Sequence, residues 1–283
     1  MEITCDLYAQ WIGGIRAELT KVGFDHSKLD DQDCAIRWQA WKRRTIPPAQ
    51  RTVEMANGFS CPAHLQKGLD DLEAAIKAGE DIWPWQSKLI DRPKFEDGLY
   101  NDYGIVHFHL GDGLETSGYV KRTKELLFTV VDSSTVYEIG VYDHGEWYEL
   151  DILDILDDNW PGLLDRVTLQ AIDVENYPRT REEVKKLREA NVVTVLKLKS
   201  GRVIAPPGGG VATDGTSFAA VHAADYWAKL LRQWAPRIIA DIEKRVGDGE
   251  LPSKDYAVTL VATDEEITAV LGDTDKWVLW RRS

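Results

Sequence analysis

The residues best equipped for chemistry are His107 and His109, one residue apart in the run YGIVHFHLG at 103–111. Successive side chains of a β-strand point to opposite faces, so residues i and i+2 share one. Read as a strand, the run puts both imidazoles on one face and Val106, Phe108 and Leu110 on the other. Such a pair can move protons near neutral pH, ligate a metal, or pack as hydrogen-bonded polar residues.

Two groups further along the chain can join them. Lys121-Arg-Thr-Lys124 stands immediately before a strand-like run, and Tyr142-Asp-His-Gly-Glu-Trp147 stands at the end of the next one. A hairpin preceded by a strand brings all three to one end of a sheet. His107, His109 and His144 would supply acid–base groups, and Arg122 would hold a phosphate or oxyanion. Lys121, Lys124, Tyr142 and Trp147 are the candidate substrate-binding residues around them. This set suffices for RNA cleavage without a metal or other cofactor. One imidazole deprotonates a 2′-hydroxyl, another protonates the leaving oxygen, and Arg122 holds the phosphate.

The same residues admit other readings. His107, His109 and His144 can be read as three metal ligands, with Asp112 or Asp143 as a fourth, as in a metal-dependent hydrolase or oxygenase. Alternatively the histidines are structural and the chain is a non-catalytic binding or assembly protein. A second candidate site is the loop after Pro206-Pro207, where Gly208, Gly209 and Gly210 can offer backbone N–H groups to an anion. It lacks the lysine of a phosphate-binding P-loop, and the plainer reading is a connector with Thr216 or Ser217 capping the next helix. No HExxH, calcium loop or Ser-His-Asp order is present.

The elements that must position these groups are read from periodicity. Leu7, Trp11, Ile15 and Leu19 predict a helix over 7–23, weakened by Gly13-Gly14. Helices are also expected over 33–44, stopped by Pro47-Pro48, and over 61–78, stopped by Gly79. Strands are expected over 104–110, 125–132 and 135–142, followed by a short helix near 150–164. Beyond these come a helix over 180–190 capped by Thr180, a strand over 192–199 and a turn at Gly201. Helices over 216–234 and from Pro236 to 246 follow, then a strand over 256–262, a helix over 264–271 and a strand over 276–281. The expected class is α+β. It divides into a mainly helical region at 1–95, a central antiparallel β-sheet domain at 96–175 carrying the candidate site, and a C-terminal α/β region at 176–283.

Composition bounds the partners. The chain has 283 residues, 43% of them apolar, and a net charge of −13, which argues against sequence-independent adhesion to nucleic acid or an anionic membrane but not against a local basic site. Acids dominate 143–175 and bases dominate 179–202, read as two solvated faces. Cys5, Cys34 and Cys61 are odd in number and widely spaced, so no disulfide framework is expected. Neither a signal peptide nor an apolar run of membrane-spanning length is apparent, and the expected location is the cytoplasm.

The stretch from His107 to His144 resembles the core of RelE/HigB-type toxins, ribosome-dependent or free ribonucleases. The resemblance lies in the strand Val106-His-Phe-His-Leu110, a basic residue heading a hairpin in Arg122-Thr-Lys-Glu-Leu-Leu-Phe128, and a histidine at the far end of Val136-Tyr-Glu-Ile-Gly-Val-Tyr-Asp-His144. It implies a toxin-like or defence-associated endoribonuclease, with RNA as substrate and a protein antitoxin as a partner class.

Overall fold

Apolar residues at helical spacing, then β-branched and aromatic runs, produce a mixed α+β fold. A computed structural model describes residues 1–144, 151–170, 180–263, 266–272 and 275–281. From the N-terminus run β1 (Ile3–Thr4), α1 (Leu7–Lys21), α2 (Asp31–Arg44), β2 (Thr52–Met55), α3 (Gln66–Ala78) and α4 (Gly98–Tyr103). Then come β3 (Val106–His109), β4 (Glu125–Val131), β5 (Thr135–Asp143), α5 (Asp151–Asn159) and α6 (Arg181–Glu189). The chain continues through β6 (Leu196–Lys197), β7 (Val203–Ile204), α7 (Phe218–Gly247), β8 (Tyr256–Ala262), β9 (Glu266–Leu271) and β10 (Asp275–Arg281).

These elements form two compact units, Met1–Gln39 with Ala220–Ser283, and Ala40–Ala219. This division cuts across the three regions read from the sequence, because the first and last segments of the chain pack with each other. In the first unit the sheet order is β1-β8-β9-β10, with β1 parallel to β8 and the others antiparallel. The stripe Leu7, Trp11, Ile15 and Leu19 of α1 is buried as expected. Gln10 ties α1 to β8: its amide donates to the Val258 carbonyl at 2.9 Å and accepts the Leu260 N–H at 2.8 Å. Gly13 and Gly14 lie exposed within α1, and a methyl group on either would meet no atom within 4 Å. Gly13→Ala and Gly14→Ala are each expected to stabilise the chain by about 1 kcal/mol. The check is a higher urea midpoint with an unchanged slope.

In the second unit the sheet order is β2-β5-β4-β3, with β2 parallel to β5 and the rest antiparallel. Phe108, Leu110, Leu127 and Val136 pack with Leu69, Leu72 and Ile76 of α3. Leu126, Phe128 and Ile139 pack on the opposite side, with Leu99 and Tyr103 of α4 and Ile152, Leu153 and Leu156 of α5. The sheet is therefore covered on both faces. Gly79 ends α3 in the left-handed conformation at φ 76°, which glycine adopts without steric cost. Thr180 caps α6, and with Glu183 it forms a reciprocal capping box.

Several expectations are corrected. The segment expected as a helix over 264–271 is strand β9 from Glu266 onward; β-branched Ile267, Thr268 and Val270 suit the middle of an antiparallel meander. Two helices split at Pro236 are the single helix α7. Leu231, Ile238 and Ile242 are buried on both sides of the proline, and that burial outweighs the missing hydrogen bond. The strand expected over 192–199 shrinks to Leu196–Lys197, with Val192 and Val193 exposed. The acidic and basic blocks are not two separate solvated faces. Arg202 reaches the buried Asp157 at 3.2 Å, and Lys199 reaches Asp151 at 2.5 Å, so β6–β7 is pinned to α5 by ion pairs.

Candidate functional site

Ladder register builds the site. His107 pairs with Phe128 and His109 with Leu126, so both imidazoles lie on the α4–α5 side of the sheet, as the alternation predicts. On the next ladder Glu125 pairs with Asp143, and the His144 N–H continues it by donating to the Lys124 carbonyl at 2.9 Å. The Thr123 N–H donates to His109 Nδ1 at 3.3 Å, and its hydroxyl accepts the Leu110 N–H at 3.2 Å. Arg122 and His144 thus flank the end of the strands that carry the histidine pair.

The two pairs differ in environment. Arg122 and His144 are exposed, whereas His107 is 7% and His109 is 2% exposed. Burial lowers the pKa of His107, opposed by Asp97 and reinforced by the neighbouring His144 and Arg122. Burial brings His109 down to about 4, helped by Arg122, His107 and His144. Arg122 and His144 therefore each lie within electrostatic reach of both buried histidines. His107 borders a cavity of about 20 Å³ with Arg44, Gln86, Ser87, Asp97 and Tyr100, and His109, Arg122 and His144 are not among its lining residues. That volume suits a single water molecule.

Hydrogen bonding sets the His109 tautomer. Nδ1 accepts from Thr123, so the neutral ring carries its proton on Nε2, which has no hydrogen-bond partner among the described residues. A depressed pKa has a defined sign for stability. The folded ring titrates near 4 and an unfolded one near 6.5, so its contribution is complete above pH 6.5 and is lost as pH falls towards 4. Relative to wild type, His109→Gln is expected to gain roughly 3 kcal/mol in unfolding free energy on going from pH 7 to pH 4. Urea denaturation of both proteins across that range measures the difference; a constant difference would contradict a neutral buried ring.

The remaining candidates have other tasks. Lys121 pairs with Asp112 at 3.1 Å and Lys124 with Asp143 at 2.5 Å, both on the surface. Tyr142 is not an open platform: its ring packs on Phe128 at 5.0 Å between centroids, against the α4–α5 core. Trp147 lies outside the described residues. The glycine loop is not an anion cradle. The N–H groups of Gly208, Gly209 and Gly210 donate to the carbonyls of Asp102, Pro206 and Asn101 at 3.0, 2.9 and 2.8 Å. A Cβ on Gly208 would stand 2.2 Å from the Tyr100 carbonyl oxygen, so glycine is there for close backbone approach. Arg43 locks the loop by donating to the Gly208 carbonyl at 3.1 Å and to the Ser217 hydroxyl at 2.6 Å.

Sequence reasoning missed Asp97. Its Oδ1 caps α4 by accepting the Tyr100 N–H at 3.1 Å, while Oδ2 lies 3.7 Å from His107 Nδ1. The Asp-Gly step before a short helix was the available cap signal. Among the described residues, no three His, Cys, Asp or Glu side chains converge as metal ligands, which removes the geometric basis of the metal reading. No helix among them is long and apolar enough to cross a membrane. Comparison with protein-family models, curated proteins and solved structures finds no match for this chain.

Proposed function

We propose that the chain is a metal-independent, toxin-like endoribonuclease whose working surface is the exposed hairpin end bearing Arg122 and His144. The observation that carries this reading is the grouping of an exposed guanidinium and an exposed imidazole beside the His107–His109 pair. His144 takes the proton of a 2′-hydroxyl, whose oxygen attacks the adjacent phosphorus. The bond to the 5′-oxygen breaks, that oxygen takes a proton from solvent, and His144 later returns its own. Arg122 neutralises the phosphorane charge. The two buried histidines are neutral, so they order the strand end and do not trade protons with substrate. RNA is the substrate class, the cytoplasm the proposed location, and an antitoxin the natural means of restraint.

The test is incubation of purified protein with 5′-labelled single-stranded RNA in EDTA. Fragments ending in a 2′,3′-cyclic phosphate are expected; intact RNA would overturn the reading. Burial of His107 and His109 favours one competitor, a non-catalytic binding protein in which both rings serve packing alone. Under that reading, histidine variants lower the melting temperature and there is no reaction to lose.

A further inference from the structure

Glu138 lies in the middle of β5, on the side of the sheet that α3 covers. It is fully buried, and neither side-chain oxygen has a hydrogen-bond partner among the described residues. Its ladder neighbours are Thr129 on β4 and Met55 on β2. Thr129 does not satisfy it, because that hydroxyl donates to the Val106 carbonyl at 3.3 Å. Val136, two residues earlier on the same strand, packs in the cluster that contains Leu69, Leu72, Ile76 and Cys61. An ionised carboxyl buried here would lose its hydration with no donor among the described residues to replace it, so the closed structure requires the acid form.

The charged surroundings reinforce this requirement. From α3 come Glu73 and Lys77, which pair with each other at 2.5 Å, and from the segment before α3 comes the Cys61 thiol. Val53 is the β2 side chain in this cluster, and it is apolar. Burial raises Glu138 most, Glu73 adds to it and Lys77 opposes, bringing the group to about 8.

We propose that Glu138 is a proton-operated latch: its protonated carboxyl lets α3 close over the β2–β5 edge, and loss of that proton opens this packing. The site is separate from Arg122 and His144, and the inference stands whether or not the chain cleaves RNA. No covalent step is involved. The carboxyl releases a proton to solvent, and the resulting anion gains water or Lys77 only if α3 moves or Lys77 leaves Glu73.

Hydrogen exchange of the full chain, corrected for the intrinsic rate, tests the latch between about pH 6 and pH 9. Protection across 66–78 and 52–55 is expected to fall by about tenfold or more in wild type, and to stay level in Glu138→Gln and Glu138→Met. Met keeps the volume without the acid and serves if the Gln variant fails to fold. A carbon-13 titration of the Glu138 carboxyl supplies a second readout. Equal loss of protection in wild type and variants, level protection in wild type, or titration in the ordinary carboxylate range would each overturn the proposal.

Discussion

Arg122→Ala and His144→Ala are each expected to lower RNA cleavage by about 10²–10⁴-fold while leaving the melting temperature close to wild type. Both side chains are exposed, so their loss opens no cavity in the core. Arg122→Lys should recover part of the activity, because it keeps the charge but not the planar fork. His109→Gln separates surface from interior: it is expected to stay within about tenfold of wild-type cleavage. Its larger effect falls on pH-dependent stability, since the ring is buried beneath the strand end. If His109→Gln abolished cleavage while Arg122→Ala did not, the working surface would have been assigned to the wrong side chains.

Gly68→Ala is expected to destabilise the chain by roughly 2–4 kcal/mol, against a helix-propensity gain of about 1 kcal/mol. A Cβ at this position of α3 would lie 2.0 Å from the Leu110 carbonyl oxygen and 2.4 Å from its carbon. Those atoms are backbone at the end of β3 and cannot rotate away. The helix would have to retreat from the sheet, loosening Leu69 and Leu72, which are 1% and 0% exposed. A fall in melting temperature of about 5–10 °C is the thermal equivalent for a unit of this size. A variant as stable as wild type would mean that α3 does not lie this close to β3. Leu110 follows His109 directly, so the same contact also seats the histidine strand.

Much of the local structure was legible. Leu7, Trp11, Ile15 and Leu19 repeat at one-turn spacing and are buried on one face of α1. Thr180 with Glu183 marks a helix start, and Gly79 a helix end, through hydrogen bonds and backbone sterics that are local in sequence. Period-two alternation correctly placed His107 and His109 on one face of β3. The errors occur where tertiary contact overrides a local signal. Pro236 stays inside α7, with buried residues on both sides of it, and the 266–271 run becomes a strand because two neighbours pair with it. Gly208–Gly210 has the composition of an open loop, yet the N–H groups of Gly208 and Gly210 are consumed by the carbonyls of Asp102 and Asn101, about a hundred residues earlier, and that of Gly209 by Pro206.

What the amino-acid sequence determined by itself is the periodicity of its elements, their caps, the α+β class and the shared face of the two histidines. Each follows from geometry repeating over a few residues. Which ionisable groups lie in water and which are sealed from it depends on the packing of distant segments. His107 and His109 are closed beneath the sheet end, Arg122 and His144 remain outside, and Glu138 is buried on the opposite face with no donor among the described residues. The physical reason is desolvation: the charge state of a side chain depends on everything packed around it, and those neighbours come from distant parts of the chain.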